Sequence, residues 1–265
     1  MGIFSSLRER RRAKAADAPA FGDAAWGSAF EGRPGLSRLG EADRAMLRRL
    51  AAAFAAEKRI MVPGGASAPD QFVAAVSALA SLPILELSSS PGSLDALDWY
   101  RGWATILIVP GSYKVTRSFY DEAGTLHEYE DELAGEDSAL GPVVLAAPDI
   151  EEAGRGEGYD VVIHEMAHKL DGLDGVYDGC PPLPRGLSYA AWRSDFSEAF
   201  ARLRDGGGRR RGRARDPFDE YAAADPTEFF ACSCELFFDR PAALKAAYPA
   251  VYGRLAEFFR QDPAG

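Results

Sequence analysis

The sequence predicts an α+β fold, and two observations carry that expectation. A strand-like block between residues 103 and 146 is flanked by two blocks whose apolar residues recur at helical spacing. The second helical block contains Tyr159-Asp160-Val161-Val162-Ile163-His164-Glu165-Met166-Ala167-His168-Lys169-Leu170-Asp171, where two of the chain's three histidines stand four apart directly after an apolar run. With 265 residues, 47% hydrophobic and 26% charged, the chain can bury a sizeable core.

Residues 1–38, rich in Gly, Pro and Ala with scattered aromatics, are expected to be a flexible segment. Residues 39–90 are expected to be helical. Met46, Leu47, Leu50 and Phe54 share one face of a helix over 41–58, and Asp70 is a candidate cap for a helix through Phe72, Val76 and Leu79. The sheet is expected within 100–147, small and mixed or antiparallel. Residues 104–109 form a β-rich run closed by Pro110-Gly111, and 115–120 and 125–133 flank the hairpin signal Asp121-Glu122-Ala123-Gly124; 142–146 read as a further strand. Helices return over 148–262, around His164 and near 190–204, 226–238 and 249–260, and 205–215 read as a flexible basic loop. Residues 39–265 are thus expected to form a single domain.

Composition excludes several classes. Lys and Arg number 30 against 40 Asp and Glu, a net charge of −10, which argues against direct nucleic-acid binding because phosphate contacts need a basic face. No apolar run reaches the ~18 residues a membrane span requires. The basic N-terminus lacks the apolar stretch of a secretory leader. Gly2 and Ser6 fit a short myristoylation pattern, but a basic tail is the simpler reading. The odd cysteine count (Cys180, Cys232, Cys234) gives no disulfide framework and fits a reducing compartment. Cys232 and Cys234 have no second pair with which to build a four-thiolate metal site. A cytoplasmic monomer is the resulting expectation.

The chemistry lies in the paired histidines. On a helix, His164 and His168 share a face and can aim both imidazoles at one point, which suits Zn²⁺, while Glu165 between them can polarise a water. A catalytic zinc needs a third protein ligand. Asp174, six residues after His168, has the metzincin spacing. Against it, position 171 is Asp rather than the turn glycine, and none of Met1, Met46, Met61 and Met166 lies downstream to form a Met-turn. The competing candidate is Glu228, in the first turn of a helix capped by Asp225 and opened by Pro226, whose apolar face is Phe229, Phe230, Leu236 and Phe237. A carboxylate buried on such a helix needs a partner. Glu235, seven residues on, and Asp171, three after His168, are placed to support the ligands by hydrogen bonding. His127 falls in the hairpin and is expected to be exposed and inert.

The segment from His164 to Asp171, followed downstream by Tyr221, Glu228-Phe229-Phe230-Ala231 and Glu235-Leu236-Phe237-Phe238, resembles the Mlc titration factor A family. These are bacterial zinc peptidases with a catalytic domain similar to that of anthrax lethal factor. The resemblance spans residues 40–260 or so and includes the tryptophan-containing segment before 106–110 and Gly141-Pro142-Val143-Val144-Leu145. It implies a zincin-like catalytic domain over 39–265 with a gluzincin-like site: Zn²⁺ on His164, His168 and Glu228, Glu165 as general base, and Tyr221 as a donor to the oxyanion. It also implies hydrolysis of peptide or protein substrates, aminopeptidase activity included. A regulatory role through the repressor Mlc and glucose phosphotransferase uptake is implied as well. The chain departs from the pattern in the Gly/Arg-rich stretch 205–215 and at Cys232, where lethal factor carries an acidic residue. Two other readings stay open: a non-proteolytic protein that titrates a repressor, and a metal-dependent hydrolase acting on something other than peptides.

Overall fold

The computed structural model describes residues 3–111, 114–120, 126–132, 141–206 and 216–265, with the backbone alone for 3–6, 114–120 and 126–132. The hairpin tip, residues 207–215 of the Gly/Arg-rich stretch and the side chain of His127 lie outside the described residues. The chain begins with α1 (Ile3–Asp17), α2 (Asp23–Ser28), α3 (Pro34–Ser37), α4 (Glu41–Glu57), β1 (Arg59–Met61) and α5 (Asp70–Ser81). β2 (Thr105–Val109), β3 (Lys114–Tyr120), β4 (Leu126–Glu132) and β5 (Val143–Ala146) follow. It ends with α6 (Ala147–Glu152), α7 (Val161–Asp171), α8 (Tyr189–Arg204), α9 (Pro226–Asp239), α10 (Pro241–Ala247) and α11 (Pro249–Phe259). Among the described residues, no helix is long and apolar enough to cross a membrane.

The α+β class holds, but the sheet differs from the expected mixed or antiparallel one. The strand order is β1-β2-β5 and every pairing in it is parallel, with Ile60 opposite Ile106, and Ile106 and Ile108 opposite Val143 and Leu145. β3 and β4 pair antiparallel in a separate two-stranded ribbon. The difference traces to β1. It is three residues long and sits inside a stretch that reads as helical, so the strand that sets the parallel order leaves almost no periodic signal. Parallel neighbours need a crossover, and α5 supplies one between β1 and β2. β2 shows the alternation of a strand with unequal faces: Ile106 and Ile108 are buried, Thr105, Leu107 and Val109 half-buried. Asp70 is the first helical residue of α5 and not its cap, which is Pro69.

Among the described residues, 3–38 carry three helices, and α1 is fastened to the body by a buried arginine. Arg12 donates from Nε to Glu57 Oε1 at 2.7 Å, from Nη2 to Asp98 Oδ1 at 2.9 Å, and from Nη1 to the Leu94 carbonyl at 3.1 Å. Arg33, just before α3, is also buried and donates to the carbonyls of Ile150 (2.8 Å) and Ala153 (2.9 Å). A guanidinium can be buried when each N–H finds an acceptor. Those acceptors lie far away in sequence, so composition showed only charge and small residues.

The C-terminal helices enclose an aromatic core. Trp192 stacks on Phe196 with centroids 4.6 Å apart, and Phe229, Phe230, Phe237, Phe238, Phe258 and Phe259 are fully buried around them. α9 runs through this cluster, buried from Phe229 to Asp239.

Arg12→Ala is expected to lower unfolding stability by about 2 kcal/mol, because it leaves the Leu94 carbonyl and parts of two carboxylates without a partner. A shift of the urea midpoint at unchanged slope would register it. An unchanged midpoint would mean that α1 is held by something other than this arginine.

Candidate active site

Two capped helix starts build the site. Asp160 opens α7 by accepting from the N–H groups of Val162 (3.1 Å) and Ile163 (3.0 Å). Asp225 opens α9 in the same way, accepting from Thr227 (2.8 Å) and Glu228 (3.0 Å), with Pro226 at the first position. α7 buries Val162, Ile163, Met166, Ala167 and Leu170 and turns His164 and His168 toward α9. α7 ends where Gly172 meets the Tyr177 ring, leaving no room for a Cβ.

The imidazoles and the Glu228 carboxylate converge. Nε2 of His164 lies 3.0 Å from Nε2 of His168 and 3.1 Å from Glu228 Oε2, and Nε2 of His168 lies 3.6 Å from Glu228 Oε1. Ligands at ~2.0–2.1 Å around a tetrahedral ion stand ~3.3 Å apart, and the three separations bracket that edge. Glu228 Oε2 is buried with no hydrogen-bond partner despite its short approach to His164, an orphaned anionic oxygen in position for a cation. The donor set therefore fits a divalent metal, and His164, His168 and Glu228 form such a group by geometry. Burial opposes the charge on Glu228, but the adjacent imidazoles of His164 and His168 outweigh it and hold the carboxyl far below the usual range.

Glu235 faces the other side of the His164 ring. Its Oε1 lies 2.8 Å from Nδ1 and its Oε2 accepts the Asp160 N–H at 2.6 Å. With Nδ1–H bound to Glu235, the lone pair of a neutral ring sits on Nε2. Glu165 is half-buried, and burial pushes its carboxyl upward against the pull of His168 and His164. Tyr221 lies in a short 3₁₀ turn, is 47% exposed, and holds its ring 6.1 Å from that of His164.

Two expected residues stand elsewhere. Asp174 is exposed beyond the end of α7, where its carboxylate accepts the Val176 N–H at 3.0 Å, away from the converging ligands. Asp171 is fully buried, but its Oδ2 accepts the Gly179 N–H at 3.0 Å, and neither its Oδ1 nor Nδ1 of His168 has a hydrogen-bond partner. It anchors the loop after α7 and makes no hydrogen bond to His168. Burial pushes its carboxyl up to about 6. Two neighbours gained no role from the sequence: Asp160, whose cap position before an apolar run was a legible signal, and Cys232, one helical turn beyond Glu228.

Glu235→Ala is expected to weaken metal binding ~10–100-fold, the usual cost of removing the partner of a ligating histidine. Competition with a chromophoric chelator measures it, and unchanged affinity would remove Glu235 from the site. A second expectation concerns pH. Burial raises the Asp160 carboxyl from 3.8 to about 8. Between those values the folded chain keeps a proton that the unfolded chain releases. The stability from this group is complete below 3.8 and is lost as pH rises through about 8. Asp160→Asn keeps a capping oxygen and should flatten that decline in urea midpoints taken across the window.

Known proteins resemble this chain over most of its length. The description glucose-regulated metallo-peptidase M90 belongs to a family model that matches residues 7–260. Mlc titration factor A of Edwardsiella ictaluri is 34% identical over 231 residues, covering 87% of this chain and 85% of that protein. The proteins of the same name from Klebsiella pneumoniae (strain 342) and Salmonella gallinarum are each 32% identical, covering 87% of this chain and 83% and 84% of their own lengths. The chain belongs to the glucose-regulated metallo-peptidase M90 family.

Proposed function

We propose that this protein is a zinc-dependent peptidase with a zincin-like, gluzincin-type site. The observation that carries the reading is the convergence of two imidazole Nε2 atoms and the Glu228 carboxylate at separations of 3.0, 3.1 and 3.6 Å, with Glu165 on the intervening turn of α7. His164, His168 and Glu228 would hold the zinc, a borderline-soft ion matched by two nitrogens and one oxygen. Bound there, zinc supplies Lewis acidity toward a carbonyl and toward water.

The chain's own residues divide the remaining work. Glu165 takes a proton from the attacking water and delivers it to the leaving amine. Its half-buried position favours this, since burial makes the carboxylate a better base than an exposed one. The hydroxyl of Tyr221, a residue at the surface beside His164, donates to the oxyanion as charge develops on the scissile carbonyl oxygen. Glu235 keeps the His164 ring in the tautomer that leaves Nε2 free. Peptides and proteins are the substrates, with aminopeptidase cleavage within the range of the site, and the cytoplasm is the place of action.

A regulatory reading accompanies the enzymatic one. The relatives are named as titration factors of Mlc and match 87% of this chain. We infer that this chain also binds a repressor of that type and so affects glucose phosphotransferase uptake. Hydrolysis and titration part at one residue. Glu165→Gln should lower kcat ~10²–10⁴-fold while leaving zinc content and repressor affinity intact. Glu228→Ala should lose zinc, and Tyr221→Phe should lower kcat ~10²-fold with little change in KM. Zinc analysis, peptide turnover and repressor binding on the same preparations test these together. Full turnover by Glu165→Gln would sink the peptidase mechanism.

A further inference from the structure

One donor beside the site has no part in the peptidase reading. On α9, Glu228, Cys232 and Glu235 recur at four and three residues and share the ridge that faces His164. Glu228 meets Nε2 of that ring and Glu235 meets Nδ1. A ring nitrogen of His164, Sγ of Cys232 and a carboxylate oxygen of Glu235 all lie within 4.8 Å of one another. Glu235 Oε1 lies 2.8 Å from Nδ1, the nitrogen of this ring that the triad does not use. Cys232 is a free thiol, 9% exposed. Thiolate, imidazole and carboxylate together suit a thiophilic divalent cation better than a hard one such as Mg²⁺.

We propose that Nδ1 of His164, Sγ of Cys232 and the Glu235 carboxylate form a second metal position for Zn²⁺, Co²⁺ or Cd²⁺, alternative to the position between His164, His168 and Glu228. The alternation rests on the metal-binding reading of that triad. A neutral imidazole has one free lone pair. With the Nδ1 proton directed at Glu235, Nε2 is free for the triad. A cation on Nδ1 leaves the ring proton on Nε2, directed at Glu228 Oε2 and His168 Nε2, 3.1 and 3.0 Å away, and closes the triad to a metal. Binding forms metal bonds to Sγ, Nδ1 and a Glu235 oxygen. The thiol proton leaves to solvent and the ring proton moves from one nitrogen to the other. A cation held there would therefore keep the triad closed, in a share set by the relative affinity of the two positions for that metal.

Cobalt titration of the full apo chain tests this, because thiolate ligation gives a near-ultraviolet charge-transfer band that nitrogen and oxygen ligands do not. The expected result is ligand-field absorption and a thiolate band that rise together and saturate at one cobalt per chain, because the two positions share one ring. Cys232→Ala should abolish that band, with Cys232→Ser as a second variant if the alanine chain misfolds. Cys180→Ala and Cys234→Ala should keep it. In Glu228→Gln, which weakens the triad, the band per bound cobalt should be stronger than in the wild type. Ligand-field absorption with no thiolate band at any cobalt level, or a band that survives loss of Cys232, would overturn the second position and leave the triad standing. Absence of all cobalt absorption would overturn both.

Discussion

The carboxylate of Glu235 is the contact on which the site depends. It is buried, and each oxygen has one short partner: Nδ1 of His164 at 2.8 Å and the Asp160 N–H at 2.6 Å. Bonds to an ionised acceptor in a low-dielectric interior are stronger than neutral ones, and an unpartnered carboxylate there is costly. One side chain of α9 therefore fixes both the residue that caps α7 and the ring that α7 presents. Because Asp160 in turn satisfies the N–H groups of Val162 and Ile163, the start of the histidine helix is locked to α9 through a continuous chain of hydrogen bonds.

That lock is only as rigid as α9, and the aromatic core makes α9 rigid. Phe229 packs against Phe196, Phe200 and Phe218, Phe230 against Trp192, and Phe237 against Tyr252 and Phe259. Burying side chains of this size contributes roughly 2–3 kcal/mol each, before the entropy of ordering them. The same core holds the loop that follows α7. Trp192 Nε1 donates to the Gly179 carbonyl at 3.0 Å, and the Gly179 N–H serves Asp171. Gly179 has φ of 75°, and a Cβ there would stand 2.5 Å from the Pro226 carbonyl oxygen. Only glycine allows the loop to lie directly on the first turn of α9, the turn that carries Glu228.

Much of the site was legible because local rules wrote it. The four-residue histidine spacing, Asp225-Pro226 as a helix start and the seven-residue step from Glu228 to Glu235 depend on helix geometry alone, and the fold keeps all three. What failed depended on distant partners. β1 is a strand because Thr105, Ile106 and Leu107 pair with it, not because of its own three residues. Arg12 and Arg33 are buried because acceptors 45 to 120 positions away meet them. Asp171 has the sequence offset to serve His168, and its Oδ2 accepts from the loop glycine after α7. The parallel order of β1, β2 and β5 likewise required a crossover that periodicity does not reveal.

The two histidines are not equivalent, and the asymmetry decides how the site can adjust. His164 is held at both ring nitrogens, by Glu235 on one side and by the short approaches of His168 and Glu228 on the other. His168 has a buried Nδ1 with no hydrogen-bond partner and the longer approach to Glu228, 3.6 Å against 3.1 Å. Turning His164 would break a charge-assisted bond, whereas turning His168 gives up no hydrogen bond at Nδ1. A cation drawn into the triad would then be met by a fixed His164 and Glu228 and an adjustable His168. The rigid ring is the one flanked by three α9 donors at helical spacing, and the compliant ring is the one that α9 touches through Glu228. Precision in this site is therefore set by α9, although the sequence signature that announces it lies on α7.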